Sequence, residues 1–152
     1  MPSNTRKLAK TSIVKRQLLL WATMALLPMA NASAEWTNIG EGGGAVPSEF
    51  SAYVDFDTTA LKDKIGSVWT LNDFKQPKAV SGKSISSTKV HFEYMCDQNK
   101  RRMLEFSWYA GKMGSGEVVF TKNEVDVWRD FTSNTLDDQR RDAACGKSNK
   151  PA

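Results

Sequence analysis

The chain has 152 residues and a formal charge of +4, with 21 Lys and Arg against 17 Asp and Glu. This length fits one domain with a single core. Five basic and no acidic residues lie before Glu35, so residues 35–152 carry 16 basic against 17 acidic residues, a formal charge of −1. We therefore expect no nucleic-acid partner, because binding to phosphates requires a basic surface.

The first 34 residues have the layout of a cleavable secretory signal. A basic start precedes an apolar run from Leu18 to Met29, and small residues follow it. That run, about twelve residues, is shorter than the ~20 needed to span a bilayer as a helix, so a membrane anchor is the weaker interpretation. We expect cleavage between Ala34 and Glu35, with cleavage after Ala32 as the alternative. The product is expected in the periplasm, in the medium or at the cell surface, without a transmembrane segment.

Most of the remaining chain is predicted to form β-strands. Phe50–Asp57 is rich in aromatic and β-branched residues, and it follows Glu41–Pro47, which we interpret as a loop. Val68–Asn72 is a second short strand, and Asp73–Pro77 is predicted to end it.

The clearest strand is Thr88–Cys96, where apolar and polar residues alternate with a period of two. The residues predicted to face the core are Val90, Phe92, Tyr94 and Cys96. Those predicted to face mostly water are Lys89, His91, Glu93 and Met95. The alternation resumes in Arg102–Tyr109, so the two segments predict an antiparallel hairpin in which Leu104, Phe106 and Trp108 share one face.

Two further elements complete the predicted fold. Glycines at 111, 114 and 116 indicate a turn leading into a strand at Glu117–Phe120, and turn geometry is favoured there over a phosphate-binding loop. A helix is predicted to start at Asn134 or Thr135, with Asp137 and Asp138 in its first turn, and to stop at Gly146. The predicted class is α+β, an antiparallel sheet with a C-terminal helix packed on one face.

Two cysteines, Cys96 and Cys145, are present. An even count in an exported chain favours a disulfide, which would tether the helix to the sheet. A Cys96–Cys145 bond would close a loop of about 50 residues and add about 4 kcal/mol to the stability of the fold in the chain-entropy model. A metal site is the weaker alternative because it would need more ligands than two distant thiols and His91, and a redox pair is more often C-x-x-C.

An enzyme is not expected from these residues. The chain has one histidine and no serine or cysteine in a recognisable nucleophile motif. Three aspartates, Asp55, Asp57 and Asp73, are candidates for paired carboxylates, but aspartates at turns and strand ends are common for backbone reasons. No cofactor or metal is expected.

The aromatic residues allow two interpretations. We interpret the four tryptophans after residue 34 mainly as core residues: Trp36, Trp69, Trp108 and Trp128. The alternative is a binding face, because exposed Trp and Tyr anchor many interfaces. Tyr109 and Met113, which flank the turn at Gly111, are the candidate binding surface.

An ordered series of residues resembles the surface-adhesin protein E-like family, small exported proteins of Gram-negative bacteria. The series comprises Tyr53 to Asp55, Trp69 to Phe74 with Pro77, Glu93 to Cys96 followed by Arg101 and Arg102, Tyr109 to Val118, Trp128, and Ala144 with Cys145. The likeness runs from about Glu35 to Gly146. It implies an antiparallel sheet with a C-terminal helix tied down by the disulfide, and a non-catalytic adhesin that binds host matrix proteins.

The predicted organisation is a signal peptide at 1–34, a surface-adhesin protein E-like domain at 35–146 and a flexible tail at 147–152. The predicted function is an exported binding protein that recognises a protein or envelope ligand, such as an extracellular-matrix protein, through its surface. The alternative is an inhibitor of a lysozyme or protease, or an envelope-stress protein, that acts through the loop at Glu41–Ala45 or at Lys112–Gly116. The sequence assigns neither the ligand nor an oligomeric state.

Overall fold

The computed structural model describes residues 34–43 and 49–148. The predicted signal peptide falls almost entirely outside the described residues, as do residues 149–152 of the predicted tail. The described part has no helix that is both long and apolar enough to cross a membrane.

A single antiparallel sheet dominates the described residues. Its elements in chain order are β1 (Trp36–Gly42), β2 (Phe50–Lys62), β3 (Ile65–Val80), β4 (Lys83–Met95), β5 (Lys100–Tyr109), β6 (Val118–Lys122), β7 (Arg129–Asp130) and the helix α1 (Leu136–Ala144). A short 3-10 turn, Lys112–Gly114, connects β5 to β6. Strands β1 to β6 lie side by side in chain order, and β7 pairs with β5. The predicted α+β class, with an antiparallel sheet and a C-terminal helix, is confirmed.

Several predicted strand limits are wrong, since β2 continues past Asp57 to Lys62 and β4 begins at Lys83, before Thr88. Residues Glu41 and Gly42, assigned to a loop, belong to β1, which pairs with β2 through a bulge between Asn38 and Gly40. Strand β3 does not end at Asp73–Pro77 but continues to Val80. Pro77 is tolerated because the register with β4 shifts between Asp73 and Lys78, and an irregular site suits a residue that cannot donate a backbone hydrogen bond.

The predicted β4–β5 hairpin is confirmed, with one break in its register. His91 pairs with Glu105 while Phe92 pairs with Met103, so Leu104 is left unpaired in a bulge. Because a bulge interrupts the period of two, Leu104 does not continue the face of Phe106 and Trp108 as predicted.

Helix α1 begins where its capping residues predict. Thr135 accepts a hydrogen bond from the Asp137 backbone N–H, and the Asp138 side chain accepts one from the Thr135 backbone N–H at 3.2 Å. This reciprocal capping satisfies backbone donors that a helix N-terminus leaves unpaired. After Cys145 the chain reaches Gly146, whose φ of +68° suits the end of a helix.

The core lies between α1 and one face of the sheet, which we call the helix face. Val54, Val68 and Tyr94 are fully buried there against Ala143 and Ala144. Small residues on α1 bring the helix close to the strands. At Gly66 the approach leaves no room for a side chain, because a Cβ there would collide with the Ala144 carbonyl.

The tryptophans do not form this core. Of the four tryptophans in the described residues, none is among the buried hydrophobic residues, and each is half-buried. The core interpretation was therefore wrong: Trp36 and Trp69 lie on the sheet face opposite the helix, Trp108 lies on the helix face but stays half-buried, and Trp128 lies outside the strands.

A polar network fixes the N-terminal half of α1 on the sheet. Asp137 accepts hydrogen bonds from the Tyr94 hydroxyl at 3.0 Å and from Arg101 at 2.9 Å. Arg140, which is 6% exposed, contacts the same carboxylate and donates to the Asn72 side chain at 2.7 Å. Burial raises the pKa of Tyr94 well above its usual range, and the adjacent Asp137 carboxylate raises it further. Tyr94 therefore stays protonated and remains a hydrogen-bond donor.

The disulfide fixes the other end of the helix. Cys96 follows β4 and Cys145 caps α1, and the two are bonded with a Cα–Cα distance of 5.7 Å and a sequence separation of 49. The predicted tether between the helix and the sheet is confirmed.

Replacing either Cys96 or Cys145 with Ala is expected to lower the free energy of unfolding by about 2–5 kcal/mol, because the unfolded chain loses a long-range constraint. Urea denaturation would measure the change. Hydrogen exchange should show amides of α1 losing protection before those of β3 and β4. Uniform loss of protection across the sheet would contradict this local role of the disulfide.

Replacing Gly66 with Ala is expected to lower the free energy of unfolding by about 1–3 kcal/mol, because the new methyl group collides with the backbone of α1. Thermal unfolding would measure the loss. Ser67→Ala, at the neighbouring strand position, is the matched control and should change stability far less. Equal effects of the two substitutions would show that close docking of the helix at Gly66 is unimportant.

Candidate functional site

The sheet face opposite α1, which we call the open face, carries a row of polar and aromatic side chains. Successive strand pairings align one residue from each of β1 to β5 across the sheet. The row is Trp36, Asp55, Trp69, His91 and Glu105. Because paired residues in antiparallel strands point to the same face, five strands contribute to one surface roughly 19 Å across.

The centre of the row is a stacked pair. The Trp69 and His91 rings lie 4.8 Å apart with an interplanar angle of 13°. Burial lowers the pKa of His91, and the negative charges of Glu105 and Glu93 oppose that change. Glu93 is itself bound by Arg102, at 2.6 Å. The imidazole is therefore neutral at pH 7, which suits a stacking role.

Lys89, two residues before His91 on β4, extends along the same face. Its ammonium lies 5.0 Å from the centre of the Tyr109 ring and 5.7 Å from that of Trp36. Both distances are within the range of cation–π attraction. The two rings thus hold a positive charge beside the aromatic row.

The turn between β5 and β6 lies over the sheet instead of projecting from it. The Ser87 hydroxyl donates to the Gly111 carbonyl at 2.6 Å and accepts from the Gly114 N–H at 2.8 Å. The Met113 N–H donates to Asp73 at 2.7 Å. The Lys112–Gly116 loop, named as one route to enzyme inhibition, is therefore held against β3 and β4.

Tyr109 and Met113, the predicted binding surface, lie in different surroundings. Tyr109 is half-buried and contacts the Lys89 ammonium, whereas Met113 is 38% exposed on top of the turn. Gly114 packs on the Lys89 side chain so closely that a Cβ would collide with it. Tyr109 lines the groove described next, and Met113 lies outside it.

The open face contains a groove of about 280 Å³, which we call the aromatic groove. Its lining residues are Trp36, Asp55, Thr58, Trp69, Lys89, Glu105, Ser107 and Tyr109, with Ala34, which the predicted cleavage before Glu35 would remove. Three aromatic rings, a lysine and two carboxylates thus surround one small space. Sequence reasoning missed Lys89 and Glu105 and named Trp36 only in the alternative interpretation as a binding face, because their proximity depends on the register of five strands.

The chemical groups of this face are mostly engaged with one another. The Ser107 hydroxyl pairs with that of Thr121 at 2.9 Å, and Thr58 donates to the Asp55 carbonyl at 2.7 Å. The suggested pairing of Asp55 with Asp73 is not formed by the strand register, which places them opposite Trp69 and Ser51. Across the described residues, no group of three or more His, Cys, Asp or Glu side chains is arranged to hold a metal ion.

The described residues thus form one antiparallel sheet with a helix on one face and an aromatic groove on the other. The family model of surface-adhesin protein E matches residues 36–146. The chain belongs to the surface-adhesin protein E family. No match was found among curated proteins.

Solved structures of protein E from Haemophilus influenzae share the fold. Its crystal form II has a TM-score of 0.52 at 13% identity, covering 63% of this chain and 80% of that one. A selenomethionine form has a TM-score of 0.50 at 11% identity, covering 75% and 91%. A further structure has a TM-score of 0.50 at 14% identity, covering 78% and 94%. At these identities the likeness shows the fold alone.

His91 predicts a pH dependence of stability. Because burial lowers its pKa in the folded state, the unfolded chain binds a proton more readily once the pH falls below about 6.5. The contribution of the neutral His91 imidazole to the free energy of unfolding is complete above that pH. It is lost as the pH falls through the pKa of His91 in the folded state. Between about pH 7.5 and pH 5, the protein should therefore lose more stability than its His91→Gln variant.

Urea denaturation of the protein and of His91→Gln at both pH values would measure this difference. The groups facing His91 are Trp69 and Glu105 across the strands, with Lys89, Glu93 and Arg102 nearby. A His91→Gln variant that loses as much stability as the parent would show that the imidazole is not responsible.

Proposed function

We propose that this protein is an exported, non-catalytic binding protein that recognises a protein or envelope ligand through its open face. The observation that carries the proposal is the aromatic groove, in which Trp36, Trp69 and Tyr109 come together on a sheet face that α1 does not cover. Aromatic residues that remain outside a core are typical anchors of binding surfaces.

Membership of the surface-adhesin protein E family supports a role in surface recognition. The predicted signal peptide supports export to the periplasm, the medium or the cell surface. The ligand class that we propose to test includes extracellular-matrix proteins and envelope proteins. Neither a nucleic acid nor a cofactor is part of the proposal.

The side-chain contacts of the groove favour binding over catalysis. Catalytic nucleophiles are usually hydrogen-bonded to a base. Here the Ser107 hydroxyl pairs with Thr121, and the His91 ring stacks on Trp69. These groups stabilise the surface and present its aromatic rings.

Replacing Tyr109 or Met113 with Ala tests the proposed surface. The protein is expressed from its full sequence in a Gram-negative host, purified, and assayed against immobilised matrix proteins and envelope fractions. We expect Tyr109→Ala to weaken binding about tenfold, roughly 1.4 kcal/mol, because it removes an aromatic anchor. Met113→Ala should weaken binding less, because Met113 lies outside the groove.

Phe120→Ala is the matched control. Phe120 is 43% exposed and pairs with Trp108 on the helix face of β6, away from the groove. Its replacement should leave binding unchanged. The proposed surface is refuted if Phe120→Ala abolishes binding while Tyr109→Ala does not. The binding function is refuted if the protein binds no matrix or envelope component but turns over an envelope substrate.

A further inference from the structure

Lys89 makes no direct ion pair in the part of the chain that the structure describes, although Asp55 and Glu105 line the same groove. The ion pairs among those residues do not include Lys89, although ten other Lys and Arg side chains take part. Aromatic faces attract the ammonium but do not satisfy its three hydrogen-bond donors. Lys89 can therefore bind an anionic group that enters the groove.

The ammonium is held in position before any ligand arrives. Gly114 packs on the Lys89 side chain, at a backbone φ of +68°. The turn that carries Gly114 is itself fixed by two hydrogen bonds to the buried Ser87 hydroxyl. A side chain that is already ordered loses little conformational freedom on binding, which favours affinity.

The acidic residues of the groove restrict which anion fits. Asp55 and Glu105 line the same space as Lys89. A ligand with several negative charges, such as an acidic peptide or a sulfated polymer, would be repelled by these carboxylates. A ligand with one negative charge and several hydroxyl groups suits the groove better, because hydroxyl groups can donate to Glu105.

The size and the walls of the groove favour a single ring. Its volume of about 280 Å³ is near the lower limit of small-molecule sites, roughly 300–1,000 Å³. Trp36, Trp69 and Tyr109 offer apolar surface along its sides. The groove therefore combines a site for one carboxylate, apolar walls and hydrogen-bond acceptors.

We propose that the aromatic groove binds a sugar residue that carries one carboxylate, an inference that rests on the binding function proposed above. The carboxylate binds the Lys89 ammonium, the sugar ring lies along the aromatic wall of the groove, and sugar hydroxyls donate to Glu105. The ligand is thus a glycan with acidic sugars, and the polypeptide that carries the glycan contributes little to recognition by the groove.

Titration calorimetry of the protein expressed from its full sequence tests this assignment. The probes are 3′-sialyllactose and a disaccharide of glucuronic acid and N-acetylglucosamine, with lactose as the uncharged match of the first. We expect at least one acidic probe to bind, and lactose to bind about tenfold more weakly or not at all. An acetylated tetra-aspartate peptide is included as a competing acidic ligand.

Lys89→Met removes the charge but keeps the unbranched stem that packs under Gly114. It should weaken binding of the acidic sugar about tenfold, to the level of the uncharged sugar. Lys89→Arg, which keeps the charge, should retain most of the binding. Lys78→Met is the matched control, because Lys78 also lies over an aromatic ring, at 4.0 Å from the centre of Phe74, but outside the groove. Thermal unfolding of each variant establishes that it is folded.

Equal affinity for sialyllactose and lactose would overturn the role of the carboxylate. Unchanged binding by Lys89→Met would show that the ligand does not bind at Lys89. Tighter binding of the aspartate peptide than of both acidic sugars would refute the proposed ligand class. If no sugar binds while capture by matrix or envelope components persists and depends on Tyr109, this inference fails and the binding function stands. If neither kind of ligand binds, both fail.

Discussion

Attachment of α1 to the sheet at both ends is the constraint on which the rest of the structure depends. At its N-terminal end, Asp137 accepts hydrogen bonds from Tyr94 and Arg101, which belong to β4 and β5. At its C-terminal end, Cys145 is bonded to Cys96, just after β4. A helix of nine residues with a largely polar sequence would be marginal by itself. The disulfide and the half-buried Asp137 carboxylate therefore determine which face of the sheet becomes the core.

Once one face is assigned to the helix, the period of two in each strand assigns the other. Val68 and Tyr94 are buried under α1, so Trp69 and His91 must point to the opposite side. The open face is consequently assembled from residues that alternate with the core residues. Half-buried aromatic rings remain there because stacking, as between Trp69 and His91, covers part of their surface without a second layer of structure.

Local patterns were sufficient to predict much of this fold. The alternation in Thr88–Cys96, the capping residues before Leu136 and the pair of cysteines each predict one feature that the structure confirms. The failures lie where pairing with a distant strand outweighs local preference. The glycine-rich end of β1 is stabilised by β2, and β3 continues past Pro77 through a shift in register. Trp36 and Trp69 were misassigned for a related reason, because hydrophobicity does not say which strand face the helix covers.

The groove shows why the fold and the ligand are separate questions in this family. Its position follows from the order and register of β1 to β5, which any member with the same sheet could share. Its chemistry depends on individual side chains, above all Lys89 between Trp36 and Tyr109, and Glu105 opposite His91. At 11–14% identity, the solved protein E structures do not determine those side chains. A ligand for this chain is therefore better inferred from the charges and rings of its own groove than from the name of a relative.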